Sequence, residues 1–190
     1  MISTVSFLLR ACCLGLALVS LACASAQTAP SAGEEAVLDD YRLGQGDQIG
    51  IQVFDEPDLT MESRVGSSGV INYSYLGNLE VKGKTAEQIE QEITALLEDG
   101  YLVNPAVNVT VIEFRPFFIN GEVRSPGGYP YQPGLTLDKA IALAGGLTDR
   151  ASARKIFVIR ADDDDGEPVR VGMSEEIAPG DIVSIKEGFF

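Results

Sequence analysis

The sequence predicts an α+β protein built from two small domains, each a sheet with one helix. Two amphipathic helix patterns, beginning at Thr85 and Thr136, are each flanked by short strands in which apolar residues alternate with polar ones. Tight turns, and no long crossover segments, separate the strands. This arrangement fits two consecutive small sheets better than one wound parallel sheet.

The first domain is expected at residues 41–114. After a Gly46-Asp47 turn, the apolar residues from Ile49 to Val53 alternate as in a half-buried strand, and further extended segments begin at Val70 and near Leu79. A capping box, in which Thr85 and Gln88 each satisfy the other's backbone amide, predicts the start of the helix, and Gly100 is expected to end it. The expected apolar face of this helix consists of Ile89, Ile93, Leu96 and Leu97. A strand follows through Val107, Val109 and Val111.

The second domain is expected at residues 115–190. A strand over residues 117–119 leads to Gly121 and to a turn that contains Pro126 and Gly127, where Gly127 is expected to have a positive φ. A short helix from Thr136 should end at Gly145-Gly146, and strands are expected at residues 156–159, 169–171 and 182–185. Gly180-Asp181 repeats the earlier Gly46-Asp47 turn, and six similar residues do not establish a duplication.

The glycines between Gly121 and Gly146 do not form a phosphate-binding loop. A dinucleotide loop requires its glycines directly between a strand and the N-terminus of a helix. Here Gly127-Gly128 is separated from the helix by eight residues, YPYQPGLT, and Gly145-Gly146 lies at the helix C-terminus, where the dipole repels anions. We therefore predict mainly structural roles for the turn and cap residues Gly46, Asp47, Gly121, Pro126, Gly127, Gly145, Gly146, Gly180 and Asp181.

The first 26 residues resemble a cleavable signal peptide. Arg10 precedes a short apolar run, and Ala24-Ser25-Ala26 offers a cleavage site that would leave Gln27 first. Lipidation of Cys23 is the alternative, although Leu21 stands one position too close to that cysteine. Residues 27–40 predict a flexible acidic leader. The chain has 14 Lys and Arg against 28 Asp and Glu, so loss of Arg10 would change its net charge from −14 to −15.

Composition excludes several classes of function. The charge argues against binding nucleic acid, and the absence of histidine excludes Ser-His and Cys-His catalysis and ordinary zinc sites. We predict no catalytic residue, no metal and no cofactor. A carboxylate-based glycan-processing enzyme is a distant alternative. The run Asp162 to Asp165, followed by Gly166, lacks the first and last carboxylates of a calcium loop in its best register, so a solvated turn is expected.

Tyrosines are the candidate contact residues. Five of them could stack on sugar rings or pack within the sheets: Tyr73, Tyr75, Tyr101, Tyr129 and Tyr131. Because Arg124 lies beside the predicted turn, we expect Arg124, Tyr129 and Tyr131 to form an exposed cluster that contacts a glycan or a partner.

Several stretches resemble one known family. YRLGQGDQIGIQVFDEPDLT, SSGVINYSYLGNLEVKGKT and NPAVNVTVIEFR resemble the N-terminal domain of bacterial outer-membrane polysaccharide export (OPX) proteins. FFINGEVRSPGGYPYQPGLTLDKAIALAGGLTDRAS, with the later APGDIVSIKE, resembles the family's SLBB domain, a β-grasp module named for soluble-ligand binding. The resemblance implies a non-catalytic component of capsular or exopolysaccharide export, located in the periplasm and associated with the outer membrane.

The resemblance also implies partners. Longer relatives form a ring whose C-terminal helices make the outer-membrane pore, and this sequence shows neither such a helix nor an apolar run suited to a bilayer after residue 26. We therefore expect a short form that handles polysaccharide together with an outer-membrane pore or lipoprotein partner and inner-membrane chain-length and export machinery. Alone it should be monomeric or weakly self-associating, with a homo-oligomeric ring left open. The alternative is a free periplasmic carbohydrate-binding module outside any export complex.

Overall fold

The computed structural model describes residues 40–163 and 165–188. The predicted signal peptide lies outside the described residues, as does the predicted leader apart from Asp40. The described chain has mixed sheets and two α-helices, so the predicted α+β class is confirmed. The predicted boundary after residue 114 stays a prediction. We refer to residues 40–114 as the N-terminal half and to residues 115–188 as the C-terminal half.

The N-terminal half contains a three-stranded antiparallel sheet, a two-stranded hairpin and one helix. Its elements are β1 (Gln48–Val53), a 3₁₀ turn (Pro57–Leu59), β2 (Met61–Arg64), β3 (Val70–Tyr73), β4 (Gly77–Glu80), α1 (Ala86–Glu98) and β5 (Val107–Glu113). β1 lies between β2 and β5, and β3 pairs with β4. The alternation in β1 places its three apolar side chains in the core.

Helix α1 begins as the sequence predicts. Thr85 accepts a hydrogen bond from the Gln88 amide, and the Gln88 side chain accepts one from the Thr85 amide. Three residues of the predicted apolar face, Ile89, Ile93 and Leu97, are fully buried. The prediction was wrong for Leu96, which is 40% exposed, because it lies at the edge of the buried face, about 60° around the helix from the central residue Ile93.

The C-terminal half contains one five-stranded sheet and one helix. Its elements are β6 (Phe117–Gly121), β7 (Gly127–Tyr129), α2 (Leu137–Leu143), β8 (Ala151–Ile159), β9 (Val169–Arg170) and β10 (Ile182–Glu187). The strand order is β7-β6-β10-β8-β9, with β10 parallel to β6 and antiparallel to β8. A mixed sheet with one helix on a single face is the β-grasp-like arrangement that the resemblance implies.

Each half has its own hydrophobic cluster. The first is built from buried residues between Leu43 and Val109, and the second from buried residues between Phe117 and Ile185. Both halves nevertheless belong to one compact unit. Within the described residues, no helix is both long enough and apolar enough to cross a membrane.

Three glycine positions test the predicted turn chemistry. Gly145 and Gly146 follow α2 with φ of 80° and 89°, and their amides donate to Ala142 and Ile141. Gly127 does not have a positive φ, contrary to the prediction, because it starts β7 and pairs with Ile119. The reversal of the chain is made earlier, where the Ser125 amide donates to the Ala144 carbonyl.

Candidate functional site

Asp47 is a fully buried carboxylate at the start of β1. Its Oδ2 accepts hydrogen bonds from the Gly44 amide at 2.7 Å and the Tyr41 hydroxyl at 2.6 Å. Its Oδ1 accepts from the Arg115 amide, which follows β5, at 2.6 Å. The carboxylate therefore closes its own turn and fixes the end of the neighbouring strand.

Asp181 occupies the equivalent position before β10. Its Oδ2 accepts from the Ala178 amide at 2.9 Å, and its Oδ1 accepts from the Ala161 amide, which follows β8, at 3.1 Å. Arg160 donates to the same carboxylate at 2.9 Å. The repeated Gly-Asp phrase thus marks the same local structure twice, a buried carboxylate bonded three residues back and across to an antiparallel neighbour.

Arg115 lies between these two turns. Its Nε donates to the Pro179 carbonyl at 2.9 Å, its Nη2 donates to Asp162 at 3.1 Å, and its Nη1 is 3.7 Å from Asp47 Oδ2. A Cβ atom at Gly44 would lie 1.5 Å from Nη1, and one at Gly180 would lie 2.7 Å from Nε. Arg115 therefore connects the two halves through space that side chains at these glycines would occupy.

A row of aromatic rings crosses the same junction. Phe114 packs edge-on against Tyr41 at 5.0 Å and against Tyr131 at 5.4 Å between ring centroids. Burial, together with the hydrogen bond to Asp47, raises the pKa of Tyr41 above its usual value. Burial also raises the pKa of Tyr131, and the charges of Glu176 and Asp181 add to that effect. These tyrosines are neutral packing groups at physiological pH.

The structure separates the predicted contact cluster into different environments. Arg124 is exposed, whereas Tyr129 and Tyr131 are half-buried and pack against the second hydrophobic cluster. The Tyr129 hydroxyl donates to the Ser125 carbonyl, and the Tyr129 ring lies 6.0 Å from that of Phe117. The two rings are thus not freely exposed, although a contact role for the cluster stays a prediction.

Tyr75 and Tyr101 are the exposed tyrosines, with 69% and 56% of their surface accessible. Tyr75 lies in the β3–β4 turn, and the Tyr101 hydroxyl, just after α1, is 3.5 Å from the Tyr75 carbonyl oxygen. The φ of Tyr75 is 67°, a left-handed conformation that is rare for an aromatic residue. The sequence offered both residues as candidates, but their exposure depends on the fold. Tyr73, two residues before, is buried and donates to the Leu59 carbonyl.

Within residues 40–163 and 165–188, the acidic turn and the other carboxylates do not assemble a metal site. No group of three or more Cys, Asp or Glu side chains in that part of the chain is close enough to hold a metal ion. Asp164 lies outside the described residues, and its neighbour Asp162 accepts from Arg115. Every buried polar side-chain atom that the structure describes has a hydrogen-bond partner.

Two family models match consecutive segments of the chain. Residues 35–112 match the family described as polysaccharide biosynthesis/export protein, and residues 116–172 match the SLBB domain. The chain contains a polysaccharide export domain followed by an SLBB domain. Both Gly-Asp turns lie at or beside the matched segments, Asp47 inside the first and Asp181 just beyond the second.

Curated relatives of the chain carry export, transport or production names. The chain is 34% identical to the exopolysaccharide production protein ExoF of Rhizobium meliloti (strain 1021), over 64% of this chain and 32% of the relative. It is 28% identical to the EPS I polysaccharide export outer membrane protein EpsA of Ralstonia solanacearum, over 56% and 35%. It is 29% identical to the polysialic acid transport protein KpsD of Escherichia coli, over 48% and 15%. The alignments thus span about a third or less of these relatives.

Proposed function

We propose that the chain is a non-catalytic component of capsular or exopolysaccharide export that contacts the polymer through Tyr75 and Tyr101. The polysaccharide export domain supports the role, and the exposed tyrosine pair supports the place of contact. Tyrosine suits a sugar polymer because its ring offers an apolar face and its hydroxyl offers a hydrogen bond.

The backbone of Tyr75 is the observation that carries the contact site. A left-handed residue other than glycine costs about 1–3 kcal/mol and persists only where surrounding structure holds it. At Tyr75 this left-handed conformation presents a large aromatic ring to solvent. The side chain contributes nothing to the hydrophobic core, so packing does not explain why tyrosine stands in this turn.

The proposed location is the periplasm, in association with the outer membrane. One relative is named an outer-membrane export protein, and the described residues contain no helix suited to spanning a bilayer. We therefore infer that the chain passes polymer to an outer-membrane pore or lipoprotein partner and works with inner-membrane chain-length machinery. Arg124, Tyr129 and Tyr131 are a second and smaller proposed contact, since only Arg124 of the three is exposed.

The test compares two exposed aromatic residues in cells that produce the polymer. In Tyr75→Ala we expect exported polysaccharide to fall severalfold, while the amount of this protein and of newly made polymer inside the cell is maintained. Phe54→Ala is the matched control, because Phe54 is also an exposed aromatic residue, with 71% of its surface accessible, and lies directly after β1. Unchanged export in Tyr75→Ala, or an equal loss in both variants, would contradict the contact site.

Deletion of the chain tests the export role separately. Surface polysaccharide should be lost while precursor synthesis continues. Loss of precursor synthesis, or purified protein that cleaves or transfers glycans, would overturn the non-catalytic role.

A further inference from the structure

The solvent-facing side of the three-stranded sheet in the N-terminal half has a glycine at its centre. Gly50 lies on the middle strand β1 and pairs with Glu62 on β2 and with Thr110 on β5. Its φ lies outside the left-handed region, so the backbone conformation does not require glycine at this position. A glycine inside a strand weakens the strand and often marks a place where a ligand approaches the backbone closely.

Gly50 lies at the bottom of a depression of about 220 Å³, which we name the Gly50 trough. Its polar lining consists of Gln52, Thr60, Glu62, Asn108 and Thr110. A Cβ atom at Gly50 would lie 2.9 Å from Ile112 Cδ1, so a larger side chain there would fill the trough. Pockets that enclose drug-sized ligands have volumes of roughly 300–1,000 Å³, and the smaller trough suits a single sugar unit.

Several polar groups of the lining are available to a ligand. In the part of the chain that the structure describes, three of these side chains make no hydrogen bond to another protein group: Gln52, Asn108 and Thr110. Gln52 and Asn108 face each other as a cross-strand pair of β1 and β5. Amide and hydroxyl side chains both donate and accept hydrogen bonds, as the hydroxyl groups of a sugar do. The trough therefore offers complementary partners to a sugar.

An apolar side chain lies beside these polar groups. The register of β5 against β1 shifts at this point, which leaves Ile112 without a Cα partner on β1, and Ile112 is 49% exposed. Among the described residues, Ile112 belongs to neither hydrophobic cluster. Bulges re-aim side chains and are frequent next to functional sites. Because a sugar ring also has an apolar face of C–H groups, Ile112 offers a surface on which that face can pack.

The charge of the trough favours a neutral sugar. Glu62 is the charged residue of its lining, and Glu62 Oε2 accepts a hydrogen bond from Gln48 Nε2 at 3.1 Å. Arg64, two residues further along β2, is paired with Glu113 at 2.6 Å. An acidic sugar would place a second negative charge beside Glu62, whereas the hydroxyl groups of a neutral sugar can donate to this carboxylate.

We propose that the Gly50 trough binds one neutral sugar unit of the polymer, with the C–H face of the sugar against Ile112 and its hydroxyl groups bonded to the polar lining. The proposal rests on the proposed function, since the sugar belongs to the exported polymer, and it adds a contact on a different sheet from Tyr75. It also requires that the repeating unit of the polymer contains a neutral sugar.

Nuclear magnetic resonance of the full-length chain, purified after processing, tests the site. The probes are the methyl glycosides of glucose, galactose and mannose, and the signals are the side-chain amides of Gln52 and Asn108. We expect saturable shifts of both signals with at least one probe. The side-chain amide of Asn120, an exposed residue of β6, should not shift. No saturable shift with any of the three probes, or an equal shift of the Asn120 signal, would overturn the proposal.

Substitutions test the location of the site. Gly50→Val should weaken binding of the same probe more than about tenfold, because its side chain fills the trough. Asn108→Ala, an exposed change, should weaken binding about tenfold through the loss of its hydrogen bonds. Asn120→Ala is the matched control and should bind as the parent does, and denaturation midpoints show that each variant is folded. Parent-like binding by Asn108→Ala, or by folded Gly50→Val, would contradict the location.

Acidic counterparts of the probes test the class of sugar. The glycoside that binds is compared with its uronic acid form, in which a carboxylate replaces the hydroxymethyl group. We expect the acid to bind about fivefold more weakly, and the difference to shrink in Glu62→Gln. Equal binding of the two forms would overturn the preference for a neutral sugar.

Failure of the site and failure of the proposed function give different results. Saturable shifts in a chain whose deletion leaves surface polysaccharide unchanged would support the trough and contradict the export role. Loss of surface polysaccharide on deletion, without saturable shifts in the purified chain, would contradict the trough alone.

Discussion

Asp47 and Asp181 are fully buried carboxylates that make corresponding hydrogen bonds in the two halves of the chain. Each accepts from the amide three residues before it and from an amide just beyond an antiparallel neighbour strand. Each also lies beside an arginine, Arg115 in one case and Arg160 in the other. Both turns therefore depend on a side chain whose two oxygens each accept hydrogen bonds, and the same substitution should affect both.

Replacement of either aspartate by asparagine should lower the free energy of unfolding by about 2–3 kcal/mol, because an amide NH₂ would face backbone donors and leave one of them unsatisfied. Chemical denaturation of Asp47→Asn and Asp181→Asn measures this loss. Asp149→Asn, at an exposed turn, is the control and should change stability by less than about 0.5 kcal/mol. Full stability in either buried variant would show that the carboxylate charge is dispensable.

The raised pKa of Tyr41 gives a dependence on alkaline pH. A tyrosine whose folded pKa exceeds its unfolded value of about 10 contributes stability that is fully present below pH 10 and is lost as pH rises further. We expect the denaturation midpoint to fall more steeply above about pH 10 in the parent than in Tyr41→Phe. If the denaturation midpoint falls equally with pH in the two proteins, the loss of stability at alkaline pH is due to groups other than Tyr41.

Gly121 cannot carry a side chain. Its φ is 91°, and a Cβ would lie 2.0 Å from the Ile185 carbonyl oxygen of the parallel strand β10. Gly121→Ala should therefore cost about 3 kcal/mol or more, from backbone strain and the displaced strand together. Gly134→Ala is the control, because Gly134 also has a positive φ, of 72°, but open space at its Cβ, and it should cost about 1 kcal/mol. Similar losses of stability at both positions would show that the contact of Gly121 with β10 does not add to the cost.

Removal of Arg115 should loosen the junction between the halves. Arg115→Ala leaves Asp47 without its nearby cation and removes the bonds to Pro179 and Asp162, so we expect a loss of about 3–5 kcal/mol. Hydrogen exchange of residues 114–118 should accelerate in the same variant. Arg154→Ala, at an exposed position of β8, should leave both measurements near the parent values. Unchanged exchange in Arg115→Ala would show that other contacts hold the junction.

Glycine in place of Tyr75 should stabilise the protein while it impairs export. Relief of the left-handed conformation should raise the free energy of unfolding by up to about 1 kcal/mol, and the proposed polymer contact is lost. Asn104→Gly is a useful comparison, since Asn104 also has a positive φ, of 51°, but asparagine tolerates it better and no contact is proposed there. A less stable Tyr75→Gly protein would mean that the ring supports the fold.

Local patterns in the sequence predicted the fold well where the interactions are local. The capping box at Thr85 and the alternation of β1 are both present as predicted. The alternation rule recovered only the end of β8, because residues 151–155 are mostly small or charged and give no apolar period. Gly127 was assigned to a turn for its residue type, whereas its pairing with Ile119 decides its conformation.

The site depended on contacts that the sequence does not contain. The repeated Gly-Asp turn can be read from the sequence. Its structural role, however, depends on Arg115 and Arg160, which reach the two carboxylates from positions just beyond other strands. Residue type alone does not distinguish among the five candidate tyrosines. Tertiary packing then buried Tyr73, half-buried Tyr129 and Tyr131, and left Tyr75 and Tyr101 exposed.

The position of Arg115 between Gly44 and Gly180 constrains how related sequences can diverge. A side chain acquired at either glycine would collide with the guanidinium, so it becomes tolerable only after residue 115 has become smaller. Gly44→Ala combined with Arg115→Ala should therefore destabilise less than the sum of the two single changes. Among homologues, positions 44 and 115 should covary, with the arginine lost first, whereas position 180 should stay glycine because its φ is 87° and a Cβ there would also lie 2.9 Å from the Ala161 Cβ.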